Sequence, residues 1–294
     1  MTDETQLTGP RSLSGRTIIM SGGSRGIGLA IALRAARDGA NLVLLAKTDQ
    51  PHPSLEGTVH TAAEAIEAEG GSALAVVGDV REDADVQRAV AAAVERFGGI
   101  DIVLNNASAI DLSPTDVISM KRYDLMQDIN ARGTFLLSKT AIPYLRASES
   151  AHILTLSPPL NLDPRWAGGH LAYTMAKYGM SLTTLGLANE LAKDGIGVNS
   201  LWPATIIETA AIRNLPGGAP LLNGARTPQI VADAAYTILT RDPRAYTGNF
   251  AVDEDVLAQE GITDLSGYAV GDPAAPRTPD IFLDGAPNAA DGMA

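Results

Sequence analysis

An α/β fold, a doubly wound parallel sheet of about seven strands with helices on both faces, is the architecture this sequence predicts. Two observations predict it. Short aliphatic runs alternate with longer amphipathic stretches, and strict strand–helix alternation means βαβ units wound right-handed. The short runs are also almost continuously apolar, as strands covered on both faces are.

The strand candidates are "RTIIM" (16–20), "NLVLLA" (41–46), "ALAVVG" (73–78), "DIVLNN" (101–106), "HILTLS" (152–157), "GVNSLW" (197–202) and "GNFAV" (248–252). Helical periodicity fills the gaps at 26–37, 61–69, 84–97, 124–145, 173–193 and 229–239. One catalytic domain over 13–253 follows, with a flexible arm at 1–12. Beyond Asp253 the alternation fails, and "DPAAPRTPD" marks 254–294 as a proline-rich extension, packed in part and then frayed.

Composition narrows the function. Hydrophobic residues make up 45% and charged residues 19%, ordinary for a globular chain with a real core. A net charge of -12 argues against nucleic acid or anionic membrane as the main partner. There is no cysteine, which excludes disulfides, thiolate catalysis and cysteine-ligated metal. His52, His60, His152 and His170 show no metal-ligand spacing, so no metal is expected. The polar "MTDETQLTGPRS" start and the lack of a long apolar run lead to the expectation of a cytoplasmic protein without membrane insertion.

Directly after the first strand comes "SGGSRGIG", leading into a helix. Glycines at Gly22, Gly26 and Gly28 let a backbone turn tightly and approach a pyrophosphate, which then sits on the helix N-terminal dipole. The context is the required one, strand before and helix after. The second strand ends in Ala46 and Lys47, with no acid to chelate a ribose until Asp49. Arg25 and Lys47 would suit a 2′-phosphate, so NADP(H) is the expected cofactor and NAD(H) the possible one. The plainer reading of both cations is as solvated surface charges.

At the other end of the chain's polar inventory, Tyr173 and Lys177 are i and i+4 neighbours on a helix and point the same way. A phenol with a pKa near 10 exchanges protons poorly at neutral pH unless a nearby cation stabilises its phenolate. Tyr178 lies off that face and reads as packing.

Together these motifs resemble the short-chain dehydrogenase/reductases. The carriers are the G-x-x-x-G-x-G spacing from Gly22 to Gly28, "NNAS" at 105–108, Asn130 in "DINARGTF", "YTMAK" at 173–177 and "GVNSLWP" at 197–203. "AKTDQPHP" and "SPPLN" look more narrowly like the hydroxysteroid-dehydrogenase-like subgroup. The sterol-carrier domain some of those members carry is not expected in 294 residues.

The resemblance implies a Rossmann-type fold and an oxidoreductase that interconverts a carbonyl and a secondary alcohol by hydride transfer. It implies Tyr173 as general acid/base, Lys177 to lower its pKa and hold the nicotinamide ribose, and Asn130 to order a proton relay through water. Cofactor contacts are implied from Ser24, Ile27, Asp79, Val80, Asn106, Ala107, Pro203, Ile207 and Thr209, besides the glycines. Asp79 could equally cap a helix. Homo-oligomers paired through the helices of Asn130 and Tyr173 are implied as well.

One stretch departs from the pattern. The family's substrate-orienting serine closes the fifth strand, but here "LSPPLN" leaves only Ser157, followed by two prolines that end the strand. Either the prolines turn Ser157 toward substrate or Asn161 replaces it. "WPAT" also puts Ala204 where glycine is usual. The mobile lid of the family falls at 204–226, with Gly217 and Gly218 as hinges. Trp166 and Trp202 would line an apolar cavity, and a small carbonyl or alcohol of apolar or lipid-like character is the expected substrate. The rival from another class is a catalytically silent dinucleotide-binding regulator or scaffold.

Overall fold

The computed structural model describes residues 11–51, 56–214 and 217–284. Seven strands form one parallel sheet: β1 (Thr17–Ser21), β2 (Asn41–Ala46), β3 (Ser72–Val77), β4 (Ile102–Asn105), β5 (His152–Thr155), β6 (Gly197–Trp202) and β7 (Phe250–Val252). Their order across the sheet is β3-β2-β1-β4-β5-β6-β7. β1, β4, β5 and β6 are buried along their whole length, which is why their sequences carry no polar alternation. β3 is an edge strand and is correspondingly more exposed.

The helices are α1 (Gly26–Ala36), α2 (Val59–Ala68), α3 (Asp83–Phe97), α4 (Met120–Met126), α5 (Gly133–Leu145), α6 (Pro164–Gly168), α7 (Leu171–Glu190), α8 (Ala210–Arg213), α9 (Gly218–Leu221), α10 (Gln229–Leu239) and α11 (Asp253–Gln259). Two apolar cores lie on opposite sides of the sheet. One packs α1 and α10 on Ile18, Leu42 and Leu104; the other packs α3 and α5 on Ile19, Val43 and Val103. Neighbouring residues of one strand thus serve different cores, as the pleat requires.

The expected helix over 124–145 is three pieces. α4 and α5 are joined by a wide turn of π-helix over Gln127–Arg132, and Asn130 sits in it, fully buried. A π segment rotates side chains off the α-helical register, and such segments recur at functional sites. α6, α8, α9 and α11 each have seven residues or fewer, too few to show a helical period in the sequence.

The extension from 254 onward is docked through its described part. α11 buries Val256 and Leu257 in the first core, and residues 204–206 pair antiparallel with 278–280. The expected N-terminal arm lies mostly outside the described residues; Arg11 and Ser12 are described, and Arg11 pairs with Glu260 at 2.7 Å. Among the described residues no helix is long and apolar enough to cross a membrane. No group of three or more His, Asp or Glu among them is placed to hold a metal ion.

His152 opens β5 inside the second layer, 1% exposed, and burial brings its imidazole down to about 4. The unfolded chain therefore takes up a proton below about pH 6.5 that the folded chain refuses until about pH 4. Stability is expected to fall by about 3 kcal/mol across that window. Urea melts at pH 7 and pH 4 should show a smaller acid loss in His152→Leu than in wild type.

Candidate active site

The strand order reverses direction between β1 and β4, so the crevice at the carboxyl ends of these two strands is where such a sheet receives a ligand. Ser21 and Asn105 are register partners there. The Ser21 hydroxyl accepts from the backbone amides of Asn106 and Ala107, at 3.3 and 3.1 Å. The Asn106 side chain donates back to the carbonyls of Ser21 and Gly22, at 3.2 and 2.7 Å. This staple presses the glycine loop against β4. A Cβ on Gly22 would stand 2.9 Å from Ala107 Cα, and Gly22 has a φ of 74°, so only glycine serves there. A Cβ on Gly28 would lie 2.7 Å from the Gly22 carbonyl.

α1 starts in this loop with no side chain capping it. Its first amides therefore face outward with the positive end of the helix dipole, and an anion can satisfy both. A cavity of about 690 Å³ opens at the same place, bounded by Ser24, Arg25, Gly26, Thr61 and Thr209. An uncapped helix start, a glycine loop without side chains and a cavity beside them fit the diphosphate of a dinucleotide.

Both cations expected at the adenosine end are there, and both are engaged. Arg25 donates to Thr48 Oγ1 at 3.0 Å and to the Gly57 carbonyl at 2.9 Å. Lys47 pairs with Asp79 at 3.0 Å, and Arg81 pairs with the same carboxylate at 2.6 Å. Burial alone would raise the Asp79 carboxyl, but Arg81 and then Lys47 overcome it and hold the group at about 2. Asp79 also accepts from the Arg81 amide, the local turn a capping acid makes. Val80 is buried against Gly133 and acts as core. Thr209 caps α8 above the glycine loop, and Ile207 and Pro203 are buried behind it.

Tyr173 and Lys177 lie one turn apart near the start of α7, 5% and 3% exposed. Lys177 Nζ donates to the Leu156 carbonyl at 2.8 Å and stands 5.1 Å from the centre of the Trp202 ring. Burial brings its ammonium down to about 7, opposed in part by the Asp280 carboxylate. Burial and the same carboxylate push the Tyr173 phenol above its usual range. Asn130 spends its amide on Ala109, accepting from that backbone N–H at 2.8 Å and donating to its carbonyl at 3.0 Å. It thereby anchors the loop after β4 beside α7.

Comparison with known proteins decides what this arrangement is. Residues 16–216 match the family model of the short chain dehydrogenases. The chain belongs to the short-chain dehydrogenase family. It is 56% identical over 277 residues to hydroxysteroid dehydrogenase-like protein 2 of Xenopus tropicalis, covering 94% of this chain and 66% of that protein. A crystal structure of a short chain dehydrogenase from Mycobacterium thermoresistibile is 50% identical, with a TM-score of 0.88 over 96% of this chain and 100% of that one. The NADH-dependent reductase A1-R′ complexed with NAD is 27% identical, with a TM-score of 0.66 over 82% of this chain and 95% of that one. The chain thus spans just under two thirds of the frog protein's length.

Within this short-chain dehydrogenase, both candidates for the substrate-orienting role, Ser157 and Asn161, are engaged by other residues. The Ser157 hydroxyl, 0% exposed, bonds Ser200 Oγ at 2.8 Å, and Ser200 in turn donates to Thr184 Oγ1 at 2.8 Å. Ser157 therefore joins a buried hydroxyl chain between β5, β6 and α7. The Asn161 side-chain amide donates to the Asp284 carboxylate at 2.9 Å and accepts from the Asp163 amide at 3.0 Å, while the Asn161 backbone carbonyl accepts from the Tyr178 hydroxyl. Both side chains that could replace the missing serine thus have hydrogen-bond partners within the chain.

The tail, expected to pack in part, is seated at this end of the molecule. Phe282, 1% exposed, fills a box formed by Trp166, His170, Tyr173, Tyr178 and Trp202, with ring centres 5.4 to 6.1 Å away. Its φ of 72° is left-handed, a strain of about 1–3 kcal/mol that the aromatic packing outweighs. Trp202 Nε1 donates to the Ile281 carbonyl at 3.0 Å. The expected apolar lining by Trp166 and Trp202 is therefore a wall shared with the chain's own C-terminal segment. The only local signal was "IFLD", an apolar cluster inside a proline-rich stretch.

Two variants separate these roles. Ser157→Ala should lower stability by about 1–3 kcal/mol in urea denaturation, since Ser200 loses a buried partner. Gly28→Ala should melt cooperatively but bind dinucleotide at least about tenfold more weakly by calorimetry, because the loop must shift to admit the methyl group.

Proposed function

We propose that this chain is an NADP(H)-dependent oxidoreductase that interconverts a carbonyl and a secondary alcohol of apolar or lipid-like character. One observation carries the reading: a buried ammonium, Lys177, fixed one helical turn from Tyr173 at the carboxyl end of β5, across the crevice from the glycine loop. A bound nicotinamide dinucleotide would supply the hydride. The chain's own groups would handle the proton, the orientation and the exclusion of water.

In the reductive direction Tyr173 gives its phenolic proton to the substrate oxygen as the carbonyl carbon receives the hydride. In the oxidative direction it takes that proton back. Burial disfavours the phenolate in the structure, so the lysine charge and the cationic nicotinamide ring together must offset that penalty. Asn130 holds the loop around Ala109 beside this pair, leaving its relay role to be tested.

NADP(H) is favoured over NAD(H) because β2 ends in Ala46 and Lys47 with no ribose-chelating acid, while Arg25 and Lys47 flank the approach. A 2′-phosphate would then compete with Asp79 for Lys47. The aromatic and aliphatic wall of Trp166, Trp202 and Phe282 supports an apolar substrate. Phe135 on α5 and Leu182 and Leu185 on α7 are exposed large hydrophobics, which supports a second copy packed on these helices.

The test is turnover of NADPH and NADH across a carbonyl panel by wild type and Tyr173→Phe. The variant should lose about 100-fold or more in rate while binding NADPH within about twofold of wild type. Equal rates would remove Tyr173 from the mechanism. Binding without any tyrosine-dependent turnover is the outcome expected of a silent scaffold.

A further inference from the structure

Charge at the reactive end is unbalanced without the tail. Lys177 is a buried amine whose ammonium form burial brings down to about 7, and the C-terminal segment brings an acid to the same end. Residues 278–280 run antiparallel to 204–206: Ile206 N donates to the Thr278 carbonyl at 2.9 Å, and Asp280 N donates to the Ala204 carbonyl at 3.0 Å. Two residues on, Phe282 is seated against Tyr173, and Trp202 holds the Ile281 carbonyl between them. Asp280 is thus fixed on both sides, and the Ile281 amide holds one of its oxygens at 2.7 Å. Its charge reaches both Lys177 and Tyr173.

We propose that Asp280 is an active-site residue supplied by the C-terminal segment, its carboxylate facing the nicotinamide end of the site so that the oxidised, cationic ring is bound in preference to the reduced, neutral one. This rests on the dinucleotide-dependent reading above. The two redox forms differ there by one positive charge, and a carboxylate in a site of low dielectric distinguishes them where bulk water would not. Without Asp280 the ring would face Lys177 alone, whose ammonium form, held below about pH 7, disfavours the cationic ring.

Other groups around the carboxylate are few. Asp253 lies beyond Ala204, whose amide it accepts at 2.8 Å, with Glu254 and Arg226 paired next to it. Burial first, and then Asp280's charge in part, act on Lys177 and Tyr173 as described. His170 stands 5.6 Å from Phe282, and burial lowers its imidazole below the usual range. Asp280 itself is pushed up to about 7, by burial and then by Asp253, against the Ile281 amide and Lys177. Its discrimination therefore belongs to the ionised form and grows as pH rises through that value.

The experiment uses the full chain and calorimetric binding of NADP⁺, NADPH, NAD⁺ and NADH at about pH 6 and about pH 8.5. In wild type the ratio of reduced-form Kd to oxidised-form Kd should rise about fivefold or more between the two pH values. Asp280→Asn, which keeps the acceptor for Ile281, should lower the ratio about fivefold or more at about pH 8.5, where the wild-type carboxylate is ionised, and leave only the part of the pH dependence that Lys177 contributes. Asp280→Glu should restore the wild-type ratio. Phe282→Ala, which unseats the segment, should move the ratio toward that of the Asn variant. An Asn variant within twofold of wild type at both pH values overturns the assignment. Failure of wild type to bind any of the four dinucleotides overturns the cofactor reading first, and this one with it.

Discussion

A buried ammonium has to be satisfied, and the reactive end of this molecule is arranged around that need. An unpaired charge taken out of water costs several kcal/mol even after relaxation. Lys177 meets the demand with the Leu156 carbonyl, the Trp202 ring and the Asp280 carboxylate. The carbonyl is available for a definite reason. β5 stops pairing at Thr155, and Pro158 has no amide hydrogen, so the backbone just past the strand has an acceptor and few donors to fill it. The two prolines that look like a stiff turn thus help position the cation of the site.

The same segment explains where the serine went. Ending β5 early lets Ser157 turn toward Ser200 and Thr184, and Ser181 donates to the Pro158 carbonyl at 2.6 Å. The hydroxyls of "SPP" and α7 therefore stiffen the joint between β5 and α7, on which Tyr173 and Lys177 are carried. The Ser157–Ser200–Thr184 chain thereby ties the end of β5 to the helix that carries Tyr173 and Lys177. The aromatic box then needs a filler, and Phe282 provides it, bringing Asp280 along.

The glycine loop is stapled through Ser21 and Asn106, whose four hydrogen bonds fix it to the sheet. Residues on either side of α8 and α9 are tied to the tail instead, Thr205 to Pro279, Gly224 to Thr278 and Arg226 to Ala269.

Much of this was legible in the sequence, and what was legible was local. Strand and helix order came from periodicity, the cradle from Gly22, Gly26 and Gly28 between a strand and a helix, and the Tyr173–Lys177 pair from helical spacing. Each depends on residues within a turn or a loop of one another. The fates of Ser157, Asn130 and Asp280 depend on partners far along the chain: Ser200 on β6, the backbone of Ala109, and a tail that reaches Trp202 and Ala204. A hydroxyl or a carboxyl carries no mark of the partner it will meet, because hydrogen bonding is short-ranged and only docking brings the donors near. Sequence by itself determined the scaffold and the cofactor cradle; tertiary packing alone decided which polar groups face the reacting end.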